Sequence, residues 1–226
     1  MGSLIVVAHP DDEILGAGGL GSTLLATEAA HVIILSGDVD ARRDRPEIER
    51  LRQNARRACS LVKFREPVFG PFPNIAFNTV PHLEIVRFIE SAVASCGATT
   101  IITHHPSDLN DDHRHTAHAC QAAARLFQRR PGIAPLERLL YMEIPSSTDW
   151  AFPGGNALFT PTAFVEIGED GVDAKLKALA CYEGVMRPYP HPRSPEVIRG
   201  LAALRGGQAG VRFAEAFEVG FSRIRG

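Results

Sequence analysis

Several signatures are missing from this chain, and each absence removes a class of protein. Its four cysteines, Cys59, Cys96, Cys120 and Cys181, lie far apart with no C-x-x-C pair. That excludes a cysteine-built zinc site and a disulfide framework, leaving reduced, mostly buried thiols of a cytosolic protein. Neither sign of charge is in excess: 24 Lys and Arg oppose 26 Asp and Glu, for a formal net charge of −2. The composition therefore offers nothing to a polyanion such as nucleic acid. No apolar window approaches the roughly eighteen residues of a membrane span. The first apolar stretch, residues 4–8, is short and follows no basic segment, so no secretory signal is expected. Internal repeats, low-complexity tracts and the H-E-x-x-H zinc spacing are absent too. What is present, 226 residues with 45% apolar and 22% charged side chains, suits one soluble, cytoplasmic domain that buries its own core.

Apolar runs punctuated by amphipathic stretches organise the chain. Residues 4–8 (Leu-Ile-Val-Val-Ala), 31–35 and 99–103 are short and β-branched, as buried parallel strands are. Further strands are expected at 139–144, 163–167 and 213–221. Helices are predicted over 14–27, 47–62 (Ile48, Leu51, Ala55, Ala58 and Leu61 on one face), 82–95 (Leu83, Val86, Ile89 and Val93), 113–128, 173–182 and 195–204. Residues 38–46 are too charged for a core and form a loop, 64–80 an irregular connection with one short strand, and 150–156 a Pro/Gly loop. Residues 187–195, RPYPHPRSP, hold four prolines and cannot form a regular element. Alternating strands and helices imply an α/β fold, a three-layer Rossmann-like, mainly parallel sheet with helices on both faces, as a single domain over 1–226.

Chemistry gathers at two strand ends. The first strand runs into His9-Pro10-Asp11-Asp12-Glu13, where open α/β sheets place their ligand-binding groups. Carboxylates this close repel one another unless a positive charge sits among them, and imidazole with carboxylate suits a divalent metal, zinc first. A tight turn brings His9 and Asp12 to one point with Asp11 displaced by a few ångströms. The second cluster, His104 to His115, follows another buried strand and so lies on the same sheet edge. There Asp111 or Asp112 can serve as a helix cap. His113 and His115 sit two apart on a helix and cannot share an ion. By spacing, His104, His105 and His113 are equal candidates for the remaining ligand.

AHPDDE after the first strand, with THHPSDLNDDH after a later one, resembles the PIG-L/LmbE family of zinc-dependent de-N-acetylases. The likeness also takes in EIPSSTDW (143–150), RPYPHPRSPEVIRGLAALRGG (187–207) and AEAF (214–217). The resemblance implies His9, Asp12 and His113 as metal ligands and Asp11 as catalytic base. Well-studied members carry His-Pro-Asp-His in the second motif, whose first imidazole assists the oxyanion or leaving group. Asn110 stands at that position here; it can donate a hydrogen bond but carries no positive charge, and the candidates for the missing imidazole are His191 and His104. The implied reaction is hydrolysis of an N-acetyl amide on an N-acetylglucosamine-type sugar, by water on Zn2+ or another divalent transition metal, with Asp11 taking the proton. Arg42, Arg43, Arg45, Ser146, Ser147, His191 and Arg193 are candidates for a rim that holds the hydroxylated or anionic small molecule, with residues from about 145 onward shaping the substrate site. A homo-oligomer is compatible with the sequence.

Three rivals stand beside this reading. A thiol-conjugate amidase of the same family shares the metal site and differs at the rim. A dinucleotide enzyme is suggested by Gly16-Ala17-Gly18-Gly19-Leu20-Gly21, a G-x-G-x-x-G match with Asp38 or Asp40 near the ribose-binding distance. Against it, seven residues separate Ala8 from Gly16, and the fingerprint needs its first glycine directly after the strand. A non-catalytic metal-binding relative is the third.

Overall fold

The apolar runs become the middle of one sheet. The computed structural model describes residues 2–23, 29–37, 47–152 and 157–224. Among them are seven strands: β1 (Gly2–Val7), β2 (His31–Ser36), β3 (Val68–Phe72), β4 (Ala98–His104), β5 (Arg138–Met142), β6 (Ala163–Glu166) and β7 (Ala214–Ser222). Their order is β3-β2-β1-β4-β5-β7-β6. The first five are parallel, and β7 runs antiparallel to both of its neighbours.

Strand alternation sends successive side chains to opposite faces, and each face has its own helices. Ile5 and Val7 pack with α1 (Asp12–Ala17), α2 (Ile48–Leu61), α6 (Gly168–Leu179) and α7 (Pro195–Ala209). Leu4, Val6 and Ala8 pack with α3 (His82–Cys96), α4 (Asp111–Ala123) and α5 (Leu126–Arg129). The result is the expected three-layer, mainly parallel α/β domain. No helix of the described residues is long and apolar enough to cross a membrane, and all four cysteines are free thiols.

Element boundaries depart from the sequence pattern where glycine or packing decides. The helix expected over 14–27 is only α1, followed by a 3₁₀ turn at Gly18–Ser22, with 24–28 outside the described residues. Its glycines are closely packed: a Cβ on Gly16 would meet Met142 Sδ at 2.3 Å, and one on Gly21 would meet the Val62 carbonyl oxygen at 1.5 Å. They lie late in α1 and in the turn beyond it, not at the helix N-terminus where a pyrophosphate binds, so the glycine run is a packing device, which removes the basis of the dinucleotide reading. The helix expected over 113–128 breaks at Ala124–Arg125 into α4 and α5. In α3 the buried face carries Ile85 while Leu83 is exposed, and in α2 Cys59 is buried while Leu61 is exposed. Helix α6 starts five residues earlier than its apolar pattern, at Gly168, and α7 runs on to Ala209 through Gly206 and Gly207.

From β1 the chain steps outward to β2 and β3, then crosses back to β4. The switch point therefore lies between β1 and β4, where open α/β sheets form their crevice. Both His/Asp clusters leave the sheet there.

Candidate metal centre

The turn after β1 is built by its own side chains. The Asp12 backbone N–H donates to the His9 carbonyl at 3.4 Å, and the His9 N–H donates to Asp12 Oδ2 at 3.0 Å. Between them Asp11 adopts φ 107° and ψ −29°, a left-handed conformation rare outside glycine. The second cluster descends from β4 through a loop capped by Asn110, whose side-chain oxygen accepts the Asp112 N–H at 2.9 Å. The cap is Asn110 and not Asp111 or Asp112, because Asp112 is engaged elsewhere.

His9, Asp12 and His113 are all buried, and their ligand atoms lie within 4.8 Å of one another. His9 Nδ1 is 3.4 Å and His113 Nε2 is 3.2 Å from Asp12 Oδ2. Tetrahedral bonds of about 2.0–2.1 Å to a zinc ion require ligand atoms roughly 3.3 Å apart, so these spacings suit the ion. The two rings, 5.3 Å apart between centroids, are close enough to share it. Of the three histidines that spacing left equal, His113 alone joins this cluster. His104 lies behind it, stacked on His113 at 3.8 Å, its Nε2 accepting the Ala8 N–H. His105 turns away toward Glu218, at 3.3 Å.

Each imidazole is also gripped from behind. His9 Nε2 is 2.9 Å from Asp112 Oδ2, and His113 Nδ1 is 3.2 Å from Asp108 Oδ1. With those nitrogens protonated, the opposite ones turn lone pairs toward Asp12. Carboxylate–histidine pairs of this kind fix the ring tautomer and raise ligand basicity. Asp112 also accepts the Ile75 and Phe77 N–H groups at 2.6 and 3.0 Å. Asp108 accepts the hydroxyls of Ser147 and Thr148 and the Asn110 N–H. Nothing in the sequence pattern distinguished Asp108 or Asp112 from the other acids of that cluster.

Electrostatics agree with the donor set. Burial would depress His113, but the Asp12 and Asp108 carboxylates outweigh it and raise its pKa to about 10. Burial would likewise raise Asp12 and Asp108; the neighbouring histidines, with Ser147 also bonding Asp108, hold both below the usual carboxylate range. His104 is pushed down to about 3 by burial and by His113, so it is a neutral backing group. The centre calls for positive charge, which a divalent cation supplies. The residues fit such an ion.

A cavity of about 340 Å³ opens above the three ligands. Asp11 and Asn110 line it, as do Ser146, Ser147, His191 and Arg193 from the last third of the chain. Arg193 donates to Asp11 Oδ2 at 3.2 Å and to Ser146 Oγ at 2.8 Å. His191 lies exposed at the lip, its Nδ1 accepting the Arg193 N–H at 3.0 Å. Ser147 is 6% exposed and gives its hydroxyl to Asp108. Arg42, Arg43 and Arg45, with Asp38 and Asp40, lie outside the described residues. Sequence reasoning missed Asn74, Ile75, Leu109 and Arg187, which complete the wall. The first two come from an irregular connection with no periodicity to flag them.

Beyond the motif's ligands, Glu13 is fully buried. Burial raises its pKa to about 8, against a hydrogen bond from the Tyr182 hydroxyl that lowers it. Its Oε2 accepts the Asp11 N–H at 3.1 Å.

Solved structures share the fold at low identity. The conserved protein TT1542 from Thermus thermophilus superposes with a TM-score of 0.77 at 21% identity, covering 99% of this chain and 96% of that one. GalB, the 4-carboxy-2-hydroxymuconate hydratase of Pseudomonas putida, gives 0.78 at 21%, covering 100% and 98%. The N,N'-diacetylchitobiose deacetylase of Pyrococcus horikoshii gives 0.69 at 16%, covering 96% and 83%. No curated protein sequence matches the chain. The family model described as "PIG-L: GlcNAc-PI de-N-acetylase" matches residues 4–124, a stretch that includes most of β1, both clusters and all three candidate ligands. The chain belongs to the PIG-L family.

Proposed function

We propose that this protein is a metal-dependent amide hydrolase that removes the acetyl group from an N-acetylglucosamine-type amino sugar. One observation carries the reading: His9, Asp12 and His113 converge on a single point at the floor of a cavity that Asp11 also lines. Zinc is the ion the two imidazoles and one carboxylate suit best. Bound there, it would act as a Lewis acid toward water and the amide carbonyl.

The chain's own groups divide the remaining work. Asp11 takes the proton from attacking water and delivers it to the departing amine, so that acetate and a free amino group leave. Arg193, 3.2 Å from Asp11 Oδ2, holds that carboxylate in place by a hydrogen bond. Asn110 has its side-chain oxygen committed to the helix cap, and its amide N–H groups are the donors it can offer to the oxyanion. His191 at the lip and Arg193 inside contact the sugar and its substituent. Ser147 lines the same cavity and contacts substrate there, and through Asp108 it also steadies His113. The segment from about residue 145 onward shapes the substrate site.

The test is amine release from a panel of N-acetylated sugars and thiol conjugates by metal-loaded protein, which also separates deacetylase from thiol-conjugate amidase. Chelation is expected to abolish release. Asp11→Ala should lower turnover roughly 10²–10⁴-fold with bound metal unchanged. Metal-loaded protein that releases no amine from any of them refutes the reading.

A second reading, addition of water to a carboxylated enol, is favoured by one feature. Arg187 and Arg193 make one wall of the cavity cationic, which suits a polycarboxylate, and a hydratase of carboxylated hydroxymuconate shares the fold. Loss of substrate absorbance without amine release would select it.

A further inference from the structure

Three acids follow β1, and the hydrolytic scheme uses two. Glu13, 0% exposed, does not line the cavity. A carboxyl inside an apolar layer is costly, and a hydrophobic residue of similar volume would be cheaper there. Its two oxygens are both engaged. Oε2 accepts the Asp11 backbone N–H at 3.1 Å, and Oε1 accepts the hydroxyl of Tyr182. Tyr182 is itself buried, 2% exposed, just beyond α6 and 169 positions along the chain.

The bond to Asp11 matters because of the backbone it fixes. Asp11 holds φ 107°, a region its Cβ disfavours and a chain leaves when nothing opposes it. On the far side of the residue, the Asp11 carbonyl accepts the Ile14 and Leu15 N–H groups at 3.1 and 2.9 Å. Glu13 grips the near side. With both peptide planes fixed, the carboxylate projects into the cavity, where Arg193 meets it.

We propose that Glu13 is a positioning residue: by accepting the Asp11 N–H while Tyr182 fixes its other oxygen, it holds the left-handed turn that aims the Asp11 carboxylate into the cavity. This inference rests on the proposed role of Asp11 as the base. It makes Tyr182, from the far third of the chain, part of the support of the catalytic turn.

Glu13→Ala, Glu13→Gln and Tyr182→Phe test it. Glu13→Ala removes the acceptor and should lower kcat roughly 10–100-fold, the scale of a small misplacement, with KM within about twofold and bound metal unchanged. Glu13→Gln restores function to within about threefold, because an amide oxygen still accepts the Asp11 N–H and its NH2 can donate to the Tyr182 oxygen. Hydrogen exchange at the Asp11 amide gives a readout independent of turnover: slow in wild type and Glu13→Gln, fast in Glu13→Ala. Wild-type turnover in Glu13→Ala overturns the proposal, as does Glu13→Gln falling as far as Glu13→Ala, or metal lost together with activity. If Glu13→Ala does not fold, Tyr182→Phe carries the test, since it preserves core volume while releasing Oε1. Slower turnover and faster Asp11 exchange are then expected, and no change in either overturns the proposal. If wild-type protein releases no amine at all, the functional reading fails, and amide exchange alone decides the claim about the turn.

Discussion

Replacing Asp108 by Asn should weaken metal binding without unfolding the protein. Asp108 sits behind His113, with Oδ1 3.2 Å from Nδ1, and its charge is what makes the opposite nitrogen a strong donor. Asparagine keeps the oxygen that accepts from Asn110 N–H at 2.8 Å and from Ser147. It replaces Oδ2, which accepts the Thr148 hydroxyl at 2.7 Å, with a donor. Thr148 Oγ1 already accepts the Ile144 N–H at 2.9 Å and can turn to accept a second hydrogen, so the local structure survives. What is lost is the full negative charge behind the ring. Losing a carboxylate of this kind costs about 10–100-fold in metal affinity, or roughly 1.4–2.8 kcal/mol at 1.4 kcal/mol per tenfold. Competition against a chelator of known affinity, with unfolding followed in parallel on apo-protein, measures both quantities. Ser147→Ala, which removes only a neutral donor to Asp108, should cost less than Asp108→Asn. An Asp108→Asn protein that binds zinc within threefold of wild type would refute the reasoning and leave Asp108 a loop anchor.

Lys175→Met should destabilise the fold by roughly 3–5 kcal/mol in denaturant titrations. It strands Glu215, whose side chain is 4% exposed and whose Oε1 bonds Lys175 Nζ at 2.7 Å and Gly19 N–H at 2.8 Å; adding Glu215→Gln should recover more than half the loss. Gly21→Ala should cost roughly 4 kcal/mol or more, or prevent soluble expression, since its Cβ would strike the Val62 carbonyl oxygen. Gly200→Ala, with nothing within 4 Å, should instead stabilise by about 0.4–1 kcal/mol. Iodoacetamide at pH 8 should modify half-buried Cys181 and, more slowly, Cys96, as read by mass spectrometry. Cys59 and Cys120 should stay intact until the protein unfolds: both are buried, and burial pushes the Cys120 thiol up to about 12 and Cys59 higher still, so neither forms thiolate at that pH.

The central strands were legible because a continuous apolar run such as 4–8 has few other uses, and the two polar clusters stood out for breaking such runs. Grouping them on one sheet edge needed only the rule for strand ends. What periodicity missed was decided by contacts distant in sequence. The helix expected over 14–27 stops at Ala17 because the glycines after it pack against Val62, Ile167 and Glu215, all far along the chain. Asp108, Asp111 and Asp112 look alike in sequence; that the first and last back histidines while Asp111 meets solvent depends on where His9 and Ser147 arrive. Asn110 leaves one imidazole of the family pattern absent. His104 offers itself by position but is buried behind the cluster, a fact about depth that no spacing carries.

Hydrogen bonds to three acids stitch the two His/Asp motifs to the later segment: Arg193 to Asp11, Ser147 and Thr148 to Asp108, and Tyr182 to Glu13. A laboratory recombinant that exchanges the C-terminal portion for a homologue's, in order to re-aim selectivity, therefore cannot treat the crossover as a neutral border. Donors at those three stations are the compatibility code of the graft. Where they match, new walls can be fitted over an undisturbed reaction centre; where one fails, the graft alters the chemistry along with the choice of substrate.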